Sequence, residues 1–147
     1  MSRQKELIAH LLDAFPPRAF PGEVTSHNCA ECTAIRATLG GASWWSVPGS
    51  FIRQHSNHLP LLTQEAYKAF LPAWMCEAVS DPTGETAALL MVNLREGTFA
   101  PDFSQQESYA VIQVAKWIAE NNGFGPEDPV NRESMARIMQ KWEGQDA

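Results

Sequence analysis

Proline and glycine, ten and nine of them, cut this chain into short segments, and inside most segments the apolar residues return at helical spacing. That rhythm leaves little room for a sheet. Leu7, Ile8, Leu11, Leu12 and Phe15 line one face of a segment from Ser2 to Ala14, with Arg3, Lys5 and Asp13 on the watery side, and Pro16-Pro17 stops it. After a Pro- and Gly-bearing loop from Arg18 to Thr25, Ser26 or Asn28 is placed to cap a second helix carrying Cys29, Cys32, Ile35, Arg36 and Leu39, ended by Gly40-Gly41. The stretch Trp44 to Pro48 leads into a short helix through Phe51, Ile52 and His55, with Ser46 as its cap.

The second half continues the pattern. Leu59 to Thr63 reads as an extended connector whose Thr63 caps a helix from Gln64 to about Leu71; Pro72 kinks it before the pattern resumes through Val79, and its apolar content marks it as the most buried element. Asp81-Pro82-Thr83-Gly84 is a turn, and the alanine-rich run from Glu85 to Leu94 favours helix. A loop with Phe99, Pro101 and Phe103 precedes Ser104-Gln105-Gln106-Glu107, which has capping-box spacing and opens a helix bearing Val111, Ile112, Val114, Ala115 and Ile118. Asn121-Asn122-Gly123 ends it, and Asp128-Pro129 starts a last helix with Met135, Ile138, Met139 and Trp142 on one face. The expectation is a single, predominantly α domain over residues 1–147, with six to seven helices.

A domain of this size buries roughly 70% of its unfolded surface, enough for a core without disulfide staples. Three cysteines and a polar start, Met1 to Glu6, point to free or metal-bound thiols in a reducing cytoplasm. No apolar run approaches the length of a spanning helix. A net charge of −6 with scattered basic residues argues against a nucleic-acid partner, which needs cations to neutralise phosphates.

Chemistry-bearing side chains crowd together in one place, His27-Asn28-Cys29-Ala30-Glu31-Cys32. Cys29 and Cys32 have zinc-ligand spacing, and His55 and His58, three residues apart, can complete a Cys2His2 tetrahedron with zinc as cofactor. The same Cys-x-x-Cys at a helix start suits thiol exchange, because the helix dipole favours a thiolate; Glu31 within the motif and the lack of a preceding strand weigh against a thioredoxin-like arrangement. Two small buried thiols opening a helix are the plainest alternative. No Gly-x-Ser-x-Gly, phosphate-cradling glycine loop or His-Glu-x-x-His is present, so no catalytic residues are assigned.

The adjacent Trp44 and Trp45 point in different directions, so one is expected to anchor the core and the other to be free for a partner. A small acidic domain without evident catalytic machinery suits a binding protein. Its most concrete form is a bacterial immunity protein that docks on a secreted toxin, with Trp44, Trp45, Glu23 and Glu31 as contact residues and no cofactor. An adaptor role, with Ile138 and Trp142 as a docking face, is a further reading.

Four stretches carry a resemblance: His27-x-Cys29-x-Glu31-Cys32 followed by Ile35 and Leu39; Trp44-Trp45; Leu59-Pro60-Leu61-Leu62-Thr63-x-Glu65-Ala66-Tyr67 running into Phe70-Leu71-Pro72-Ala73; and Phe103-Ser104 with Gln106. Together they span roughly residues 26 to 120 and resemble an uncharacterised, mostly bacterial domain-of-unknown-function family of small proteins. The resemblance implies a single helical domain and brings no assigned reaction or site residues.

Overall fold

The computed structural model describes residues 2–97 and 103–143. Seven α-helices follow one another, α1 (Arg3–Ala14), α2 (Ala30–Leu39), α3 (Gly49–Gln54), α4 (Gln64–Ser80), α5 (Glu85–Glu96), α6 (Gln105–Asn121) and α7 (Pro129–Glu143), with 3-10 turns at Trp44–Ser46 and Leu59–Leu61. The domain is all-α. Among the described residues the one β-type pairing is an isolated antiparallel bridge between Thr25 and Leu62. No described helix is long and apolar enough to cross a membrane.

Local chemistry sets most helix boundaries. Ser2 caps α1 by accepting from the Lys5 amide, and Thr63 caps α4 by accepting from Ala66. At α6 the Ser104 hydroxyl accepts from Glu107 N while the Glu107 carboxylate accepts from Ser104 N, so two otherwise orphaned donors are satisfied reciprocally. Asp128 does the same work for α7, its carboxylate accepting from Val130 N and Asn131 N, with Pro129 filling the first helical position.

Three local expectations are corrected. The second helix is capped by Cys29 itself, not by Ser26 or Asn28. Ser46 closes a 3-10 turn, leaving Pro48, which offers no side-chain acceptor, at the α3 cap. The connector before α4 is not extended throughout but contains the 3-10 turn Leu59–Leu61; α4 itself runs through Pro72. Pro72 has no N–H to give the Lys68 carbonyl, but the surrounding core holds both halves together: Phe70, Leu71, Trp74, Met75 and Val79 are all essentially inaccessible to water. Phe99 and Pro101 of the expected loop lie outside the described residues, whereas Phe103 is buried against Trp142.

The α4 helix is the hub, packing against α1, α5 and α6, while α7 closes the other side against α5 and α6. Trp142 is fully buried and its indole N–H donates to the Leu94 carbonyl at 3.1 Å; Ile138 is also fully buried. The proposed docking face of the last helix is therefore spent inside the molecule. Removing an indole from such a site typically costs about 3–5 kcal/mol.

Two long loops are tied to each other outside this core. The Thr63 amide donates to the Val24 carbonyl at 2.9 Å and the Thr63 hydroxyl to the Glu23 carbonyl at 2.8 Å, next to the Thr25–Leu62 bridge. This clamp fixes the segment that delivers the chain into α2.

Candidate functional site: a capped cysteine pair

The cysteine pair is built from the start of α2. Cys29 has extended backbone, and its sulfur takes the N-cap role, accepting from the Cys32 amide at 3.3 Å. A thiol is a weaker acceptor than a hydroxyl or amide oxygen, so the loop before it must hold the geometry. Arg36, one turn after Cys32, does so: its guanidinium donates to Thr25 Oγ1 at 2.6 Å and to the His27 carbonyl at 2.7 Å. Thr25 is completely buried, held also by its bridge to Leu62.

This places the two sulfurs 2.7 Å apart, with the Cys29 thiol donating to Cys32. Both are free thiols. The separation is far inside ordinary contact of unbonded sulfurs and a small closure away from the roughly 2.05 Å of a disulfide. The environments differ sharply. Cys32 is wholly inaccessible, whereas Cys29 keeps part of its surface exposed at the helix mouth.

The proton is shared unequally. The Cys29 thiol donating to its sulfur, chiefly, together with the Cys29 and Thr25 hydrogen bonds and the nearby Arg36 charge, holds the Cys32 pKa below the ordinary thiol value against the cost of burial. The Thr25 hydroxyl accepts from Arg36, lies 3.4 Å from the His27 carbonyl as a donor, and is close enough to Cys32 to help lower its pKa. Cys29 is pushed up, first because it is the donor to Cys32 and then by burial, with Glu31 adding a smaller repulsion. Of the two sulfurs the buried one is therefore the more readily ionised, and the outer one keeps its proton longer.

The other expected ligands form a separate pair. His55 caps the C-terminus of α3, and its Nδ1 lies 2.8 Å from Nδ1 of His58, so one ring donates and the other accepts. Among the described residues no three His, Cys, Asp or Glu side chains converge closely enough to hold a metal ion. Cys29 and Cys32 therefore are not joined to His55 and His58 as the Cys2His2 site expected from spacing, because spacing along a chain says nothing about the distance between two loops. His27 lies exposed, and its carbonyl, not its ring, takes part by accepting from Arg36.

The expected partner-binding residues also separate. Trp44 is buried with its N–H donating to the Phe15 carbonyl at 2.7 Å, while Trp45 stands edge-on to it and is 55% exposed. Glu23 and Glu31 are both exposed. Two surface cavities of about 390 and 400 Å³, one beside Phe15, Arg18 and Lys68 and the other beside Ser108, Tyr109 and Lys116, are lined without any of the cysteines or His55 and His58. Thr25 and Arg36 are the functional residues that sequence reasoning passed over. Arg36 stands one turn past Cys32, a visible signal; the role of Thr25 depends on the long-range bridge to Leu62.

No known protein family, curated protein or solved structure matches the chain.

Proposed function

We propose that this protein is a small helical dithiol–disulfide protein whose redox pair is Cys29 and Cys32. The observation that carries the reading is the 2.7 Å separation of the two sulfurs, the inner one held below the ordinary thiol pKa and the outer one partly exposed. Forming the disulfide removes two protons and two electrons from the pair, passed to an oxidised thiol partner such as glutathione disulfide, and needs little backbone motion. The resemblance to an uncharacterised family carries no chemistry and is compatible with this role. Intact mass after equilibration in oxidised glutathione tests it: the full chain should lose two hydrogens with peptides mapping the bond to Cys29 and Cys32. A chain that stays fully reduced, or bonds through Cys76 instead, defeats the reading. Cys76 is disfavoured because burial, with Glu77 nearby, pushes its thiol up to about 12.

A second reading, docking on a protein partner, rests on Trp45. An aromatic ring 55% exposed, braced edge-on against a fixed neighbour, is a low-entropy anchor for a partner surface. In its most concrete form this is a bacterial immunity protein docking on a secreted toxin, the net charge of −6 complementing a basic partner, with Glu23 and Glu31 adding acidic contacts. A deletion strain grown beside toxin-producing siblings should lose protection, and Trp45→Ala with charge reversal at Glu23 and Glu31 should fail to restore it. Equal survival of deletion and parent strains removes this role.

A further inference from the structure

We infer that the oxidised pair takes electrons from external dithiols through Cys29 alone, with Cys32 as the leaving sulfur. The inference rests on the dithiol reading and adds to it a substrate class, a point of entry and a direction. Its basis is an asymmetry of access and of charge support between two sulfurs that touch each other.

Access decides which sulfur is attacked. Cys32 has no exposed surface, enclosed on the inner side of the α2 start among Thr25 and Ile35, whereas Cys29 sits at the cap with part of its surface open. An incoming thiolate must approach a disulfide along the S–S axis, so an attack at Cys32 would have to come from the protein interior. Attack at Cys29 comes from solvent. The residues flanking it, Asn28, Ala30 and Glu31, are all exposed.

Support decides which sulfur leaves. As the external thiolate bonds to Cys29 Sγ, the bond between the two protein sulfurs breaks and its electron pair goes to Cys32, where the Thr25 hydroxyl and the Arg36 charge favour the thiolate. A better leaving thiol leaves faster. The second thiol of the donor, as thiolate, then attacks the donor sulfur of the mixed disulfide. The donor becomes a disulfide and Cys29 departs, takes a proton and donates it to the Cys32 thiolate at 2.7 Å. The balance is one protein disulfide plus one dithiol giving one reduced protein pair plus one disulfide, with both electrons on the protein, one of the donor's protons on Cys29 and the other on Cys32 or released to solvent. Only the reduced form gains this hydrogen bond and the charge support, so they move the equilibrium toward the dithiol relative to an unsupported pair in a loop of the same length.

Native single-cysteine chains test the point of entry. In a Cys76→Ala background, Cys32→Ser protein incubated with oxidised glutathione should form a mixed disulfide at Cys29, read by intact mass. Cys29→Ser protein should react at Cys32 at least about ten-fold more slowly until denaturant is added, since the reaction then waits for opening of the fold. A Cys29→Ser chain that reacts as fast as Cys32→Ser overturns the inference, while the dithiol reading stands or falls separately on whether the full chain forms its disulfide. Should either variant misfold by circular dichroism, limiting iodoacetamide on the reduced full chain gives the same answer. Alkylation mapped first to Cys29 supports entry there, and alkylation mapped first to Cys32 overturns it. Direction is read by equilibrating the full chain with dithiothreitol and with glutathione: Arg36→Gln should shift the mixture toward the disulfide, and no shift counts against Cys32 as the supported leaving sulfur.

Discussion

The cysteine pair and the histidine pair have the same spacing and nearly the same separation, yet their surroundings push them differently, Cys32 toward its anion and His55 toward its neutral form. Each places two titratable groups three residues apart, within hydrogen-bond reach, 2.7 Å between the sulfurs and 2.8 Å between the imidazole nitrogens, so each holds one shared proton between two acceptors. Cys29 and Cys32 open a helix; His55 closes one. At the opening end the Cys29 thiol first, then the Thr25 hydroxyl and the Arg36 charge, favour an anion on Cys32, and together they outweigh burial. At the closing end the helix dipole favours a cation, but α3 has six residues and offers little of it. Burial against Phe51, whose ring lies 4.4 Å from that of His55, and the neighbouring His58 depress the His55 pKa instead. Proton sharing is common to both pairs. What decides charge is how many donors the surrounding chain aims at it.

The sharpest break of this comparison is a double dissociation. Replacing both Cys29 and Cys32 by Ser should abolish the two-electron transition in glutathione buffers completely while leaving the acid response of stability intact. Replacing His55 and His58 by Gln should do the reverse. Redox-mass titration and urea unfolding at two pH values check both arms, and loss of both responses in either double variant would show that the pairs are coupled and the comparison misdrawn.

Next in size is the effect of closing the disulfide. A loop this short stabilises by about 2 kcal/mol in the chain-entropy account, or roughly 4–8 °C of melting temperature for a domain of this length. Melts of the oxidised and reduced chain measure it. A lower melting temperature on oxidation would mean that losing the thiolate and its hydrogen bonds outweighs loop closure.

The fold was largely legible because helix ends are local chemistry. Ser104 with Glu107, Asp128 with Pro129, and Thr63 each announce a boundary that the backbone then uses. The site was legible only in its parts. Cys29 ranks below Ser26 and Asn28 as a cap on intrinsic grounds, and wins because the Thr25–Leu62 bridge and the clamp from Thr63 set the direction in which the chain enters α2. That bridge joins positions far apart in sequence, as does any meeting of the cysteine and histidine pairs, and spacing carries no information about either. Trp44 and Trp45 make the same point: a split between buried and exposed follows from adjacency, but which is which depends on the Phe15 carbonyl that Trp44 finds.

Arg36→Gln sharpens the comparison by weakening the donor set on one side only. It removes charge-assisted bonds to Thr25 and the His27 carbonyl at a partly exposed position, so stability should fall by about 1 kcal/mol, less than the disulfide contributes. The Cys32 pKa should rise, visible as thiolate absorbance appearing at higher pH in the reduced protein. Unchanged titration would assign the anion support to the Cys29 thiol and the backbone alone.

The smallest effect belongs to the histidines, because both rings are partly solvated. His55 has a folded pKa below its unfolded value of about 6.5, with burial the larger cause and the charge on His58 the smaller. A depressed folded pKa means the unfolded chain binds the proton more readily, so this contribution to stability is present above the unfolded pKa and is lost as pH falls through the folded one. Urea midpoints should therefore decline as pH falls below the unfolded value of about 6.5, and His55→Gln should flatten that part of the profile. Cys32, whose folded pKa is also lowered, contributes equally to the parent and to His55→Gln, so the comparison isolates the histidine. A profile that stays equally steep in His55→Gln would place the acid sensitivity in the carboxylates, and the two pairs would then differ in more than the donors aimed at them.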